Sequence, residues 1–494
     1  MELEPIIGLE IHVQLTTKSK MFCSCANIFG DVKPNIAICP ICMGYPGTLP
    51  VPNKQAIDWI QKAGAALNCV LAQESRFDRK HYFYPDLPKG YQISQFDKPF
   101  CGKGHLTIDV DGQEKTIGIT RIHLEEDAAK NTHPKGADYT LVDYNRAGTP
   151  LIEIVTEPDI RTPAEAKAFL QELQRIMRTL GISTADMEKG QMRADANISL
   201  RPVGDTKLYP KTEVKNVNSF KFVEKALAHE IERQTQMWEA GETPTHATRG
   251  FNSETGKTTL QRTKEEAADY RYFPEPDIPP FSFTSDELET VKKHLPELPR
   301  QKILRLVGQT GIPKEHAALL VEEKILADFF EEVVSELQQL DNERVEVSTQ
   351  ELPTLIKLAA NTILRDVRKM AAAHTITSLI DLKLSAENVA ELMALLHTGK
   401  INNQAVGKVL EEMYKTGGDP DAIIKNLGLE QVSGADDLQK IVDEVVSEQP
   451  DIVTKIKAGK EAAIQFLMGQ VMAKSGGKAN PKTIIEMLRK TILE

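Results

Sequence analysis

Two cysteine pairs, Cys23-Ser24-Cys25 and Cys39-Pro40-Ile41-Cys42, stand one short loop apart beside the alternating segment Ile7-Gly8-Leu9-Glu10-Ile11-His12-Val13-Gln14. Four thiols in two close pairs can converge on one tetrahedral ion, because thiolate is a soft ligand and a short connecting loop lets the pairs face each other. Structural zinc at Cys23, Cys25, Cys39 and Cys42 is therefore one expectation, and four ordinary reduced thiols are the other; the first pair is C-x-C rather than the commoner C-x-x-C. The remaining two of the six cysteines, Cys69 and Cys101, are isolated and read as packing residues. That usage excludes a secreted disulfide scaffold.

At 494 residues with 41% hydrophobic content, the chain can bury several cores. A net charge of -11 excludes a broadly basic nucleic-acid coat, so RNA would be met by a local patch. The N-terminus lacks a basic, apolar leader, and no apolar run approaches the ~20 residues of a membrane span. The cytoplasm is the expected location, with no membrane partner.

Up to about Phe283 the sequence alternates and is rich in Gly and Pro, which predicts short strands joined by turns. Helices are expected at about Pro163–Leu180, where Phe169, Leu173, Ile176 and Leu180 recur at helical spacing, and at Phe222–Ala240. The first region is therefore α+β with a largely antiparallel sheet. Phe273-Pro274-Glu275-Pro276-Asp277-Ile278-Pro279-Pro280 suits neither a helix nor a central strand and marks a boundary. Thr284-Ser285-Asp286-Glu287 then offers a capping box, and helices dominate to the end. The divisions expected are 1–287, 288–403 and 404–494. In the last of these, Lys455, Lys457, Lys460, Lys474, Lys478, Lys482, Arg489 and Lys490 form either a phosphate-facing side or a solvated helical face.

Residues two apart share a strand face, so Glu10, His12 and Gln14 point one way while Leu9, Ile11 and Val13 point the other. The same arithmetic aligns Arg193, Asp195, Asn197, Ser199 and Arg201, and separately Arg121, His123 and Glu125. If these faces converge, Glu10, Glu125 and Asp195 give hard oxygen ligands for Mg²⁺ with His12 completing or orienting the site. Arg193, Arg201, Lys89 and Lys215 can hold phosphate oxygens, which suits phosphoryl transfer. Gly250-Phe251-Asn252-Ser253-Glu254-Thr255-Gly256-Lys257-Thr258 misses a Walker A loop by one residue and sits between strand-like segments, so a P-loop is rejected. The segment Arg79 to Tyr91, dense in cations and aromatics, either clamps phosphates and stacks a base or covers a sheet edge.

Taken together, Ile7–Val13, Cys39–Gly47, Lys80–Gln95, His123–Asp127, Asp143–Leu151, Met192–Asn197 and Asp269–Asp277 resemble the B subunits of tRNA-dependent amidotransferases, along the whole chain. The resemblance implies a cradle-shaped catalytic domain, an all-α helical domain and an all-α tail of the YqeY type. It implies ATP- and Mg²⁺-dependent phosphorylation of the side-chain carboxylate of Glu-tRNA(Gln) or Asp-tRNA(Asn), followed by amidation with ammonia from a glutaminase A subunit, in a complex that also holds a C subunit. By this resemblance Glu10, His12, Glu125 and Asp195 are the catalytic metal ligands. Lys89, Arg146, Asn197 and Arg201 contact nucleotide or acyl phosphate, zinc is structural, and Lys474 and Lys478 contact tRNA. A zinc-stabilised RNA-binding protein without catalysis is the rival reading. Convergent carboxylates separate the two, because phosphate binding needs cations alone. No adenylation motif supports a third possibility, an aminoacyl-tRNA synthetase.

Overall fold

The computed structural model describes residues 2–263, 269–339, 349–376, 379–430, 435–457, 461–475 and 481–493. They divide into two compact units, Met1–Pro299 and Arg300–Glu494. In the first unit eight strands form one sheet, in chain order β1 (Leu3–Gln14), β2 (Gly104–Val110), β3 (Gln113–Glu126), β4 (Pro150–Thr156), β5 (Met192–Pro202), β6 (Thr212–Lys215), β7 (Ala247–Asn252) and β8 (Lys257–Thr263). Their spatial order is β8-β7-β6-β5-β1-β4-β3-β2. All neighbours are antiparallel except β6 and β7, which run parallel because the helix α3 (Phe220–Glu239) carries the chain back between them.

The alternation expected of β1 holds along its length: Leu9, Ile11 and Val13 are fully buried while Glu10 and His12 face the other side. Helices α1 (Lys54–Ala66), α2 (Pro163–Thr179) and α3 close over the apolar face. Helix α2 starts where Pro163 predicts, with the Thr162 hydroxyl accepting from the Glu165 amide, and it buries Phe169, Leu173 and Ile176. Each such side chain contributes roughly 1.5–3 kcal/mol by leaving water. Cys101 belongs to this packing: its sulfur sits so close to Gly64 in α1 that a Cβ there would lie 2.3 Å away. The Gly250–Thr258 segment is the turn between paired strands β7 and β8, so no phosphate loop forms there.

The proline-rich segment stays inside this unit. Phe273–Pro274 pairs with Asp78–His81, and Phe281–Ser282 pairs with Glu74–Ser75, each as a two-residue edge strand that tolerates proline. Thr284 and Glu287 form the capping box of α4 (Ser285–Lys293). Every element described in the second unit is a helix. One core runs from Ile303 to Ile424 through Phe329, Phe330, Ala359, Val389 and Val406, so helices on both sides of Asn403 share it. A separate cluster joins Leu438, Val442, Leu467, Val471, Ile484 and Leu488.

Helix α3 is tied to the sheet by a buried ion cluster. Glu230, with its side chain wholly buried, accepts from Arg233 at 2.8 Å and pairs with Arg249 of β7 at 3.1 Å, while the Thr258 hydroxyl of β8 donates to it. Removing one member of such a cluster leaves its partners uncompensated. We expect Glu230→Ala to lower the unfolding free energy of the first unit by about 3–5 kcal/mol, measured by urea denaturation; a change under ~0.5 kcal/mol, the surface-substitution range, would show the cluster is not structural.

Candidate active site

The polar face of the sheet gathers side chains from four neighbouring strands. In register, Arg193 of β5 lies opposite His12 of β1, His12 opposite Glu153 of β4, and Glu153 opposite His123 of β3. This row crosses the sheet in a straight line, and the next row toward the other end of β1 pairs Glu10 with Asp195. Strands at ~4.8 Å spacing bring facing side chains within contact. The Glu153 carboxylate is the centre: Oε2 lies 3.3 Å from His12 Nε2 and 3.3 Å from His123 Nε2. Glu125 closes the box from above, 3.7 Å from His12 Nε2 and 3.4 Å from His123 Nε2, and accepts from the Ser94 hydroxyl at 3.1 Å. One ligand atom from each of Glu10, His12 and Glu153 falls within 4.8 Å of the others, and the same holds for His123, Glu125 and Glu153.

Burial and charge oppose one another throughout this box. Burial works against a charged His12, but the Glu153 hydrogen bond and the Glu153 and Glu125 charges raise its pKa. His123 follows the same balance and is raised to about 9. Burial likewise opposes the Glu153 and Glu125 carboxylates, yet the two imidazoles hold Glu153 well below the usual range, and His123 with the Lys80 charge holds Glu125 below it. Glu10 is pushed up, first by burial and then by the Glu153 charge. The set is a crowded group of oxygen and nitrogen donors with surplus negative charge, the chemistry a divalent cation fits.

Of the residues expected at the site, Glu10, His12 and Glu125 come together. Asp195 sits beside Glu10, but its carboxylate is taken by Lys215 at 2.7 Å. Asn197 lies one step further along β5, opposite Gly8, with its buried Oδ1 lacking a partner among the described residues. Arg201 lies opposite Glu4 and bonds it at 2.7 Å; six residues separate it from Asp195, roughly 20 Å of strand, so it stands away from the box. Lys89 pairs with Glu126, whose neighbour Glu125 lines the box. Arg146 donates to the carbonyls of Ala128 and Ala129 at 2.9 and 2.7 Å. Lys474 is held between Glu444 and Glu448 at 2.7 Å each, and Lys478 lies outside the described residues.

Glu153 is the site residue that sequence pattern did not single out. Its signal was present: in Pro150-Leu151-Ile152-Glu153-Ile154-Val155-Thr156 it is the only charge in an otherwise apolar or neutral strand, and a charge placed there needs partners.

The four thiols of Cys23, Cys25, Cys39 and Cys42 also converge within 4.8 Å. Cys42 receives the Cys23 thiol and the Cys39 amide, the latter at 3.0 Å, and Lys20 lies close; these pull its pKa down to about 5. Burial, with the Cys39 hydrogen bond second, pushes Cys25 up to about 11. A converging set of four thiols, one of them acidic, could hold a metal ion. The clip leans on the turn between Glu125 and Glu153. Ile36 and Ala37 amides donate to Asn145 Oδ1 at 2.9 Å, and Met21 donates to the Gly148 carbonyl at 2.6 Å. Gly44, with φ +67°, lets the clip touch Lys89; a Cβ there would lie 2.8 Å from Lys89 Cγ.

A thiol clip thus stands beside a carboxylate–imidazole box on a largely antiparallel sheet; residues 5–289, which carry both, match the family described as the GatB/GatE catalytic domain, while 328–492 match the GatB domain. Similar curated proteins include the B subunit of the aspartyl/glutamyl-tRNA(Asn/Gln) amidotransferase of Thermodesulfovibrio yellowstonii, 46% identical with both chains fully covered. Those of Dehalococcoides mccartyi and Persephonella marina are also 46% identical, over 99% and 100% of each chain. The chain belongs to the amidotransferase B-subunit family.

In metal-free protein, the His123 ring resonances should titrate near pH 9, and Glu153→Gln should bring the midpoint down toward the ordinary 6.5. An unchanged midpoint by NMR would show that Glu153 does not hold the imidazole.

Proposed function

We propose that this chain uses ATP to activate the side-chain carboxylate of Glu-tRNA(Gln) or Asp-tRNA(Asn) and presents it to ammonia. The observation that carries the reading is the convergence of Glu10, His12, Glu125 and Glu153 on one face of the sheet. A free carboxylate resists attack by ammonia, whereas an acyl phosphate carries a good leaving group. The substrate carboxylate oxygen attacks the γ-phosphorus, ADP departs, ammonia adds to the acyl carbon, and phosphate leaves as the amide forms. Such chemistry rests on positioning and charge neutralisation.

Glu10, His12, Glu125 and Glu153 would hold Mg²⁺, with Asp195 beside them, and the ion would neutralise phosphate charge where four acidic side chains now repel one another. Lys89, paired with Glu126, Arg146, beside Asp127, and Asn197, on β5 with Asp195, would serve nucleotide or acyl phosphate. Arg201 is better read as the brace of Glu4, given its distance from the box. Zinc on the four thiols would be structural, bracing the turn that carries Arg146. Ammonia would come from a glutaminase A subunit in a complex with a C subunit, in the cytoplasm. Among the described residues no helix is long and apolar enough to cross a membrane. Residues 1–287 would carry catalysis, 288–403 a helical spacer and 404–494 tRNA binding. In that tail Lys474 would reach a phosphate only by leaving Glu444 and Glu448, and Lys478 would be the second contact.

Three outcomes test this. Glu153→Gln in the assembled complex should lower ATP-dependent Gln-tRNA formation by about 10- to 100-fold, the usual effect of disturbing a metal's ligand set, while tRNA binding persists; full activity would sink the metal box. Cys39→Ser should lower zinc content and thermal stability more than turnover per folded molecule. A zinc-free, fully stable but inactive variant would overturn the structural role. A chain ending at Leu429, which keeps the Ile303–Ile424 core whole, should bind tRNA more weakly without altering partner glutaminase activity, and equal tRNA affinity would refute the tail assignment.

A further inference from the structure

Asp127 follows directly on the Glu125-Glu126 end of β3 and is 5% exposed. Its Oδ2 is a meeting point. Gln14 Nε2 donates to it at 2.7 Å and Arg193 Nη2 at 3.0 Å, and Arg146 Nε stands 3.7 Å away; Oδ1 accepts the Ala128 amide at 2.9 Å. Burial alone would raise this carboxyl, but Arg193 and Arg146 outweigh it and hold it below its usual range. The two guanidinia reach Asp127 from separate parts of the fold. Arg193 comes from β5, directly across from His12. Arg146 comes from the turn that the thiol clip fastens through Asn145 and Gly148.

One carboxylate thus faces two guanidinium charges, and the cluster carries one net positive charge beside a box with surplus negative charge. The Asp127 side chain is 4% exposed, whereas Arg146 and Arg193 keep 36% and 41% of theirs open. Arg146 directs Nε and Nη2 to the Ala128 and Ala129 carbonyls, and Arg193 directs Nη2 to Asp127; Nη1 of Arg146 and Nε and Nη1 of Arg193 have no protein acceptor among the described residues. The charges of Glu125 and Asp195 also act on Arg193, which places it at the edge of the box. Planar guanidinium groups fixed at one end with open N–H groups at the other suit the tetrahedral oxygens of phosphate.

We infer that Asp127 is a positioning residue that sets Arg146 and Arg193 as a two-guanidinium fork for the triphosphate tail of ATP. This rests on the reading that the Glu10–His12–Glu125–Glu153 box works on ATP. Asp127 touches no substrate; it acts by fixing where the two arginines stand.

The test is steady-state kinetics of the assembled complex with ATP and Glu-tRNA varied separately. Asp127→Asn, which keeps the shape and removes the charge, should raise the KM for ATP about tenfold, the effect of losing one hydrogen bond to a charged group, with the KM for Glu-tRNA and glutaminase activity unchanged. Arg193→Lys should do the same, and the Asp127→Asn/Arg193→Lys double variant should lose less than the sum of the two single losses, because the two residues share a contact. A fall in melting temperature without a change in the KM for ATP would make Asp127 a structural brace and overturn the inference. A change in the KM for Glu-tRNA alone would assign the fork to tRNA phosphate and overturn it too. The two readings fail separately: if Glu153→Gln remains fully active the box reading falls, whereas if Glu153→Gln is impaired and Asp127→Asn keeps its ATP affinity only the fork falls.

Discussion

The carboxylate of Glu153 lies 3.3 Å from an imidazole on each side, and that placement requires the register of three neighbouring antiparallel strands to be right at once. A slip of one residue in β4 would turn Glu153 into the apolar core and bring Ile152 or Ile154 to the polar face. The register is fixed from the other side of the sheet, where Ile11, Ile122, Ile152 and Ile154 are fully buried beneath the helices. Core packing and the geometry of the candidate site are therefore one constraint seen from two faces.

Charge balance explains why such a crowd of carboxylates is tolerated. Most acids of the site have a cationic or imidazole partner: Glu153 and Glu125 have the two histidines, Asp127 has two arginines, Asp195 has Lys215 and Glu126 has Lys89. Glu10 is the exception, with no ion pair or side-chain hydrogen bond of its own among the described residues and a raised pKa. That residue would gain most from a cation, which ties the electrostatics of the fold to the chemistry assigned to it.

Local pattern made part of this legible. The period-two alternation of β1 gave the shared face of Glu10 and His12, the Pro163 start and apolar spacing gave α2, and the strand-like flanks of Gly250–Thr258 excluded a phosphate loop. The pairing of distant segments was out of reach, and it decided the rest. Glu153 reads as a stray charge until β4 is placed between β1 and β3. Arg201 shares a face with Asp195, but distance along the strand removes it from the box. Lys474 looked like an open cation because its partners sit 26 and 30 residues earlier on another helix. The proline-rich segment read as a boundary because proline cannot donate in a central strand, yet here it forms edge strands.

The central claim is that Glu10, His12, Glu125 and Glu153, with His123 beside them, would hold one divalent cation. Titrating the metal-free protein with Mn²⁺, a paramagnetic ion with the same preference for oxygen ligands as Mg²⁺, while following the histidine ring resonances tests it most directly. The account predicts that His12 and His123 broaden first and together, that excess Mg²⁺ restores them, and that Glu153→Gln abolishes the effect. Sharp His12 and His123 signals at Mn²⁺ levels that broaden other histidines would contradict it.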